Sequence, residues 1–525
     1  MRQRLLAPGA LAAALLLAAP ASAAEPGPGA PGVGDPYYPS YGNGGYDVGH
    51  YDLRLTYRPE TDRLNGTATL LATATEDLTR FNLDFALDVR EVRVNGRPAE
   101  FATSGAHELE ITPDRPLTKG QRLTVVVRYT GVPSRVEVNG WTSWHRTPDG
   151  GVAANEPEAA WWWFPSNDHP TDKATYDVSV AVPDGTQAIS NGVLTSQRSR
   201  AGWTRYSYRS DHPQATYLAT LAVGRFDVTT DVTEDGLPVL NAYSVDLGPH
   251  EGAARASIER TPEVTEWLEG YFGRYPFNAL GGYVPDTGTG YALETQTRPF
   301  YSPRQFARGS NVSVVVHEMA HQWYGNHVSV HGWDDIWLNE GFATYAQWLW
   351  SEHEGEGTAD ELAAYAYASV PAEDAFWTVP PGDPGPENQF HRAVYDRGAM
   401  ALHALRKRIG DRDFFTLLKS WPAERGGGDA TIRDFLHHAE RVSGTPLAGL
   451  FDTWLHQPSK PAHGPNEAAG PAARNGGTAP AAAPGQPESW RKIRTARHGH
   501  HGHRAQAQDT YGPHAAPPAH GDAHH

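Results

Sequence analysis

His317, Glu318 and His321 form an HExxH segment inside SNVSVVVHEMAHQWYGN, residues 310–326. On an α-helix, residues four apart share a face, so the two imidazoles can meet on a single metal ion. Glu318 lies about 100° round the helix from His317, placed to reach a water on that ion without being a ligand itself. This is the donor pattern of a zinc hydrolase. Such a site keeps one zinc position for water, lowers the water's pKa towards about 7, and uses the carboxylate as general base.

A catalytic zinc needs a third protein ligand, and two residues compete for the role. His327 follows His321 at the spacing of HExxHxxGxxH, where a glycine turns the chain back to the metal. Here that position is Tyr324, and Gly325 comes one place late. Glu340, within DDIWLNEGFATYAQWLW, completes a two-His, one-Glu open site from a second helix. One Zn2+ ion held by His317, His321 and Glu340 is expected.

Several elements must position these donors. Val312, Val314, Val315 and Val316 precede the histidines; β-branched residues cost helix propensity and are tolerated where packing decides, so the helix is expected to be central. Residues 246–457 read as a mainly helical catalytic domain. EGAARASIERTPEVTEWLEGYF stops at Tyr275-Pro276, strand and loop follow at 281–301, and FFTLLKSW and IRDFLHHAERV are amphipathic. Residues 46–245 read as a domain of antiparallel strands, from period-two runs such as YDLRLTY (51–57), LTVVVRY (123–129) and YDVSVAV (176–182). Turn pairs such as Asn95-Gly96, Asp149-Gly150 and Asn191-Gly192 separate them. The chain is thus multidomain, with both α and β regions.

The ends read differently. Arg2 and Arg4, an apolar run from Leu11 to Ala19 and then Ala21-Ser22-Ala23 make residues 1–24 a secretory signal, too short to span a bilayer. A protein exported by a bacterium and secreted, with no membrane span, is expected. Residues 25–45 form a Pro/Gly-rich leader without helix or strand periodicity. Residues 458–525 read as a disordered tail rich in His, Pro and Ala, in which clustered imidazoles such as His500, His501 and His503 could scavenge metal. With no cysteine, core packing and metal replace disulfides, and a net charge of -17 argues against nucleic acid as a partner. A monomer is the working expectation.

HEMAHQWYGN (317–326) together with WLNEGFA (337–343) resembles the M1 aminopeptidases, a gluzincin family. GYALETQ (290–296) is similar to the family's exopeptidase motif, Gly-x-Met-Glu-Asn, with Glu294 retained and Ala292 at its second place. EPEAAWWWFPSNDHPTDKATY (156–176) resembles another family stretch and keeps Glu156, Asp168 and Lys173, with Trp161 where the family has Arg. VYDRGAMALHAL (394–405) looks like the segment that supplies the family's catalytic tyrosine. The resemblance spans about residues 46–457. It implies a saddle-like β domain followed by a thermolysin-like catalytic domain, in a short, two-domain member.

What the resemblance implies chemically is an aminopeptidase (EC 3.4.11.-) acting on peptides with a free N-terminus. Glu318 is then the general base, Tyr395 stabilises the oxyanion, and Glu294, Glu156 and Ala292 bind the substrate's amino end. Two other functions stay open at this stage: a thermolysin-like endopeptidase, and a secreted protein that binds zinc without catalysis. The triple Trp161-Trp162-Trp163 reads as aromatic core between the domains.

Overall fold

The computed structural model describes residues 26–138, 140–467 and 484–497. The signal-like residues 1–24 lie outside them, as do the tail histidines from His498 to His525.

The N-terminal domain is mostly β sheet. Its largest sheet has eight strands in the spatial order 193–200, 203–214, 174–183, 46–58, 63–74, 122–131, 88–94 and 97–98. Period two decides which side chains go inside. Tyr51, Leu53, Leu55 and Tyr57 are buried from one strand, Leu123, Val125, Val127 and Tyr129 from another, and Tyr176, Val178, Val180 and Val182 from a third. Asn95 and Gly96 both take positive φ, 53° and 77°, as the tight hairpin joining Val94 to Arg97 requires. The sheet is not wholly antiparallel, because Tyr46–Arg58 pairs in parallel with Ala174–Pro183. Alternation fixes which face is apolar and says nothing about strand direction.

A second sheet begins before the expected boundary at residue 245. Phe226–Val232 and Pro238–Ser244 join Leu280–Val284, Ala292–Leu293 and Phe300–Tyr301, so the catalytic unit takes in the last strands assigned to the β domain. Helices α1 (Glu251–Ile258) and α2 (Thr261–Phe272) follow the first two of these strands, and α3 (Val312–Ala320) and α4 (Trp337–Glu354) come after the sheet. Then come α5 (Ala359–Ala368), α6 (Arg392–Ile409), α7 (Asp411–Arg425), α8 (Ile432–Ser443), α9 (Ala448–Phe451) and α10 (Trp490–Arg497). The four valines of α3 pack in the core, three of them fully buried and Val312 at its edge, as a central helix demands.

Two expectations about the rest of the chain need correction. Within the Pro/Gly-rich leader, the described residues 26–45 are not featureless: Gly27–Pro28 pairs with Leu78–Asp84, and Asp35 and Tyr37 are buried. Pro and Gly break periodicity, yet aromatic and carboxylate side chains between them still find partners. Residues 458–467 also pack, with Lys460 donating to the carbonyls of Tyr367 and Val370 at 2.9 and 2.8 Å. Further on, α10 buries Trp490 and Ile493 against the catalytic core, within the stretch read as tail. Trp161, Trp162 and Trp163 are buried, as aromatic core, in a cluster that joins the N-terminal strands to Tyr283, Leu293 and Phe300 of the catalytic sheet.

Candidate active site

The metal donors come from α3 and α4. His317 sits in the last turn of α3 and His321 caps its end. Their Nε2 atoms lie 3.1 and 3.6 Å from the same Glu340 oxygen, Oε2. One ligand atom from each of the three residues falls within 4.8 Å of the others.

The imidazoles are also aimed. His317 Nδ1 lies 3.2 Å from Gln347 Oε1, and the Gln347 amide nitrogen is itself committed to Ser313, donating to its carbonyl and its hydroxyl at 2.9 Å each. Gln347 therefore presents an acceptor, His317 carries its proton on Nδ1, and Nε2 is left as a lone pair. His321 Nδ1 faces the Tyr324 carbonyl at 3.1 Å, with the same result. Two neutral imidazoles and a carboxylate converging through lone pairs are the donor set of an open zinc site, so these residues fit the ion.

The electrostatics agree. Burial opposes ionisation of Glu340, but the two imidazoles hold its carboxyl well below the usual carboxylate range. Burial likewise disfavours a proton on His321, yet the carboxylates of Glu340, Glu294 and Glu318 push its pKa up to about 10. The cluster calls for positive charge, which a cation supplies without that proton.

His327 is not brought to this cluster. Tyr324 stacks on Phe342 of α4, with centroids 4.3 Å apart, and the chain turns only at Gly325, φ 123°. The His327 ring lies instead beside Phe277 and Gly426.

Close helix crossing positions the remaining groups. A Cβ on Gly341 or Gly398 would stand 2.5 or 2.6 Å from the Trp337 ring, so glycine at both positions lets α4 and α6 approach. Tyr395 of α6 is thereby carried to the metal donors, its ring stacked beside His317 with centroids 6.1 Å apart.

Glu294 follows the short strand Ala292–Leu293, and its backbone carbonyl accepts from Gln322 and Asn326 at 3.0 and 2.8 Å. The segment that carries the metal histidines thus also fixes the backbone at Glu294. One Glu294 oxygen accepts from the Tyr217 hydroxyl at 3.2 Å. Glu156 arrives from the β domain, fully buried, and neither of its carboxylate oxygens has a hydrogen-bond partner among the described residues. Burial, then the carboxylates of Glu294, Glu340 and Glu318, push its pKa well up. For Glu318 burial comes first, then Glu294 and Glu340, against the opposing pull of His321. The Ala292 side chain is buried, so this residue has only its backbone to offer a substrate.

Sequence reasoning missed Gln347, Tyr217, Gln322 and Asn326. Gln347 lay within reach, seven residues after Glu340 and therefore on the same helix face. Tyr217 had no local signal, because its link to Glu294 joins two domains.

An HExxH helix, a downstream glutamate and a helix-borne tyrosine beneath a β domain define a gluzincin-type metallohydrolase architecture. The Peptidase M1 N-terminal domain family matches residues 48–218 and the Peptidase family M1 domain matches residues 298–454. The M1 zinc metallopeptidase of Deinococcus radiodurans is similar over 82% of this chain and 99% of that one, with TM-score 0.73 and 30% identity. A mutant of the enzyme from the same organism, solved with a Tyr-Ser-Ala substrate, aligns at TM-score 0.72 and 31% identity over 81% of this chain and 97% of that one. The chain belongs to peptidase family M1. Glutamyl aminopeptidase of Sus scrofa is 28% identical over 454 residues, 78% of this chain and 47% of that protein, so this chain spans about half the length of such relatives.

Proposed function

We propose that the protein is a zinc aminopeptidase that removes N-terminal residues from peptides. The observation that carries this reading is Glu156. A buried carboxylate without a partner costs several kcal/mol and persists where a ligand completes it. A substrate α-ammonium is a cation of the right size and charge, and it is absent when the N-terminus is blocked or the chain continues. Glu156 and Glu294, one from each domain, bracket that group.

His317, His321 and Glu340 would hold the zinc, which when bound supplies Lewis-acid polarisation and a nucleophilic water at neutral pH. Glu318, whose burial raises its affinity for a proton, takes the proton of the attacking water and delivers it to the leaving amine. The Tyr395 hydroxyl donates to the substrate carbonyl oxygen as charge develops there. Ala292 lies on the outermost strand of its sheet, where backbone groups can pair with an extended peptide. The relatives' printed activities and the family match support the same reading. Secretion belongs to the proposal on the strength of residues 1–24 alone.

The test is hydrolysis of one peptide with a free and with an acetylated N-terminus, each with and without chelator. Chelator-sensitive cleavage of the free peptide alone is expected. Equal cleavage of both would replace this reading with an endopeptidase.

A further inference from the structure

The segment before the first long strand bridges both domains beside the amine-binding glutamates. Asp35 accepts from the backbone N–H groups of Tyr37, Tyr38 and Trp333 at 2.8, 2.9 and 2.9 Å, and meets His169 Nε2 at 3.1 Å. Tyr37 donates to Asp383 at 2.6 Å and accepts from the Gly385 N–H at 2.8 Å. Tyr41 donates to Glu158, two residues from Glu156. Between these ties sits Tyr38. Its ring stacks on Tyr41, centroids 5.0 Å apart, and meets Trp333 edge-on at 6.3 Å. Trp333 in turn packs against Tyr217, the residue that holds Glu294. The Tyr38 hydroxyl donates to Gln389 Oε1 at 2.7 Å, on the loop that enters α6 six residues before Tyr395. Gln389 Nε2 is buried and has no hydrogen-bond partner among the described residues.

These positions bracket the place that the substrate's first side chain would take. In the reading above, the substrate's α-amine lies at Glu156 and Glu294 and its carbonyl lies at Tyr395. The first side chain branches from the carbon between them. Tyr38 is linked to both limits: its ring meets Trp333, which packs on the Tyr217 that holds Glu294, and its hydrogen bond ends on the loop that leads to Tyr395.

We propose that Tyr38, held by the Asp35 and Tyr37 ties, forms with Gln389 the far wall of the pocket for the side chain of the substrate's first residue. Resting as it does on the aminopeptidase reading, it makes the segment before the β domain a specificity element. The Tyr38 ring limits the length of the first side chain. The unpaired amide nitrogen of Gln389 selects an uncharged side chain ending in an acceptor, such as glutamine; the carboxylates of Asp35, Glu156 and Glu158 disfavour an acidic one. A buried donor that gains its partner only from the correct substrate discriminates strongly against an apolar analogue.

The experiment is kcat/KM for Ala-, Leu-, Gln- and Trp-arylamides with the full-length protein and with Tyr38→Ala, Tyr38→Phe and Gln389→Ala, zinc content being measured for each. Tyr38→Ala is expected to raise the Trp-to-Ala ratio by about tenfold, chiefly through KM, with zinc unchanged. Gln389→Ala is expected to lower the Gln-to-Leu ratio by about five- to tenfold, and Tyr38→Phe to leave the size ranking in place. Rates that fall equally for all four substrates, or ratios that stay the same in every variant, overturn the wall and leave the aminopeptidase reading standing. A wild-type protein inert towards all four arylamides would overturn both.

Discussion

The two halves of the site are finished to different degrees. Around the metal, each histidine has its second nitrogen occupied, His317 by Gln347 and His321 by the Tyr324 carbonyl. At the amine end, Glu156 is buried with both carboxylate oxygens unmatched. In the proposed function, the completed half is the one that holds its ligand permanently, and the open half is the one that would hold and then release a different ligand in each turnover. A satisfied network confers rigidity, and an unsatisfied one confers recognition, because the energy it lacks is delivered only by the right partner.

The contrast can be broken most severely at the metal. Glu340→Gln removes the anionic ligand, and both zinc retention and peptidase activity are expected to collapse; metal analysis after dialysis measures the first. Glu318→Gln comes next, with kcat lower by roughly 10²–10⁴ and zinc stoichiometry unchanged. Loss of zinc in that variant would count Glu318 among the ligands. Tyr395→Phe is expected to lower kcat by about 10²–10³ with little change in KM.

At the open half, Glu156→Gln replaces a charged hydrogen bond by a neutral one and is expected to cost roughly 10- to 100-fold in kcat/KM for free-amine substrates. Because the buried acid without a partner disappears as well, the same variant is expected to be no less stable to heat than wild type, whereas Gln347→Ala in the finished half should lower the melting temperature. An equal loss of stability in both would erase the distinction between the halves.

The smallest effect lies at the seam between the domains. Lys173 donates to the carbonyls of Asn326, His327 and Gly428, and burial pushes its pKa down to about 7 from 10.5. A depressed lysine binds fewer protons folded than unfolded, so its contribution is fully present above pH 10.5 and is lost as pH falls through about 7. Across that window the stability of the wild type is expected to gain on that of Lys173→Met as pH rises. Parallel curves would show that the tie does not titrate.

What could be read in advance follows from how local each constraint is. HExxH is helix geometry, and Glu340 reads as part of a second helix that can approach the first, so the structure's gathering of His317, His321 and Glu340 was legible. Alternation marked the buried faces of the strands, and Asn95-Gly96 marked a hairpin. The parallel partner of Tyr46–Arg58 and the membership of residues 226–244 in the catalytic sheet depend on pairing between distant segments. The same reason hid Tyr217 beneath Glu294. The N-terminal segment was misread because its partners, Trp333, Asp383 and Gln389, lie hundreds of residues on. Composition reports what a segment lacks for making its own element, not what it will dock against.

The parallel pairing at the middle of the large sheet also sets an order in time. Its partners, such as His50 and Thr175, stand 125 positions apart. As the chain emerges, the hairpin of residues 46–74 forms first and waits with one long edge and the apolar side chains of Tyr51, Leu53, Leu55 and Tyr57 uncovered. No cysteine can fasten the early pieces together. Pairings this distant in sequence close slowly, and an open edge recruits other chains. The N-terminal domain is therefore most exposed to aggregation before residue 183 has arrived, and a chaperone or a slower rate of synthesis over that interval should raise the yield of folded protein.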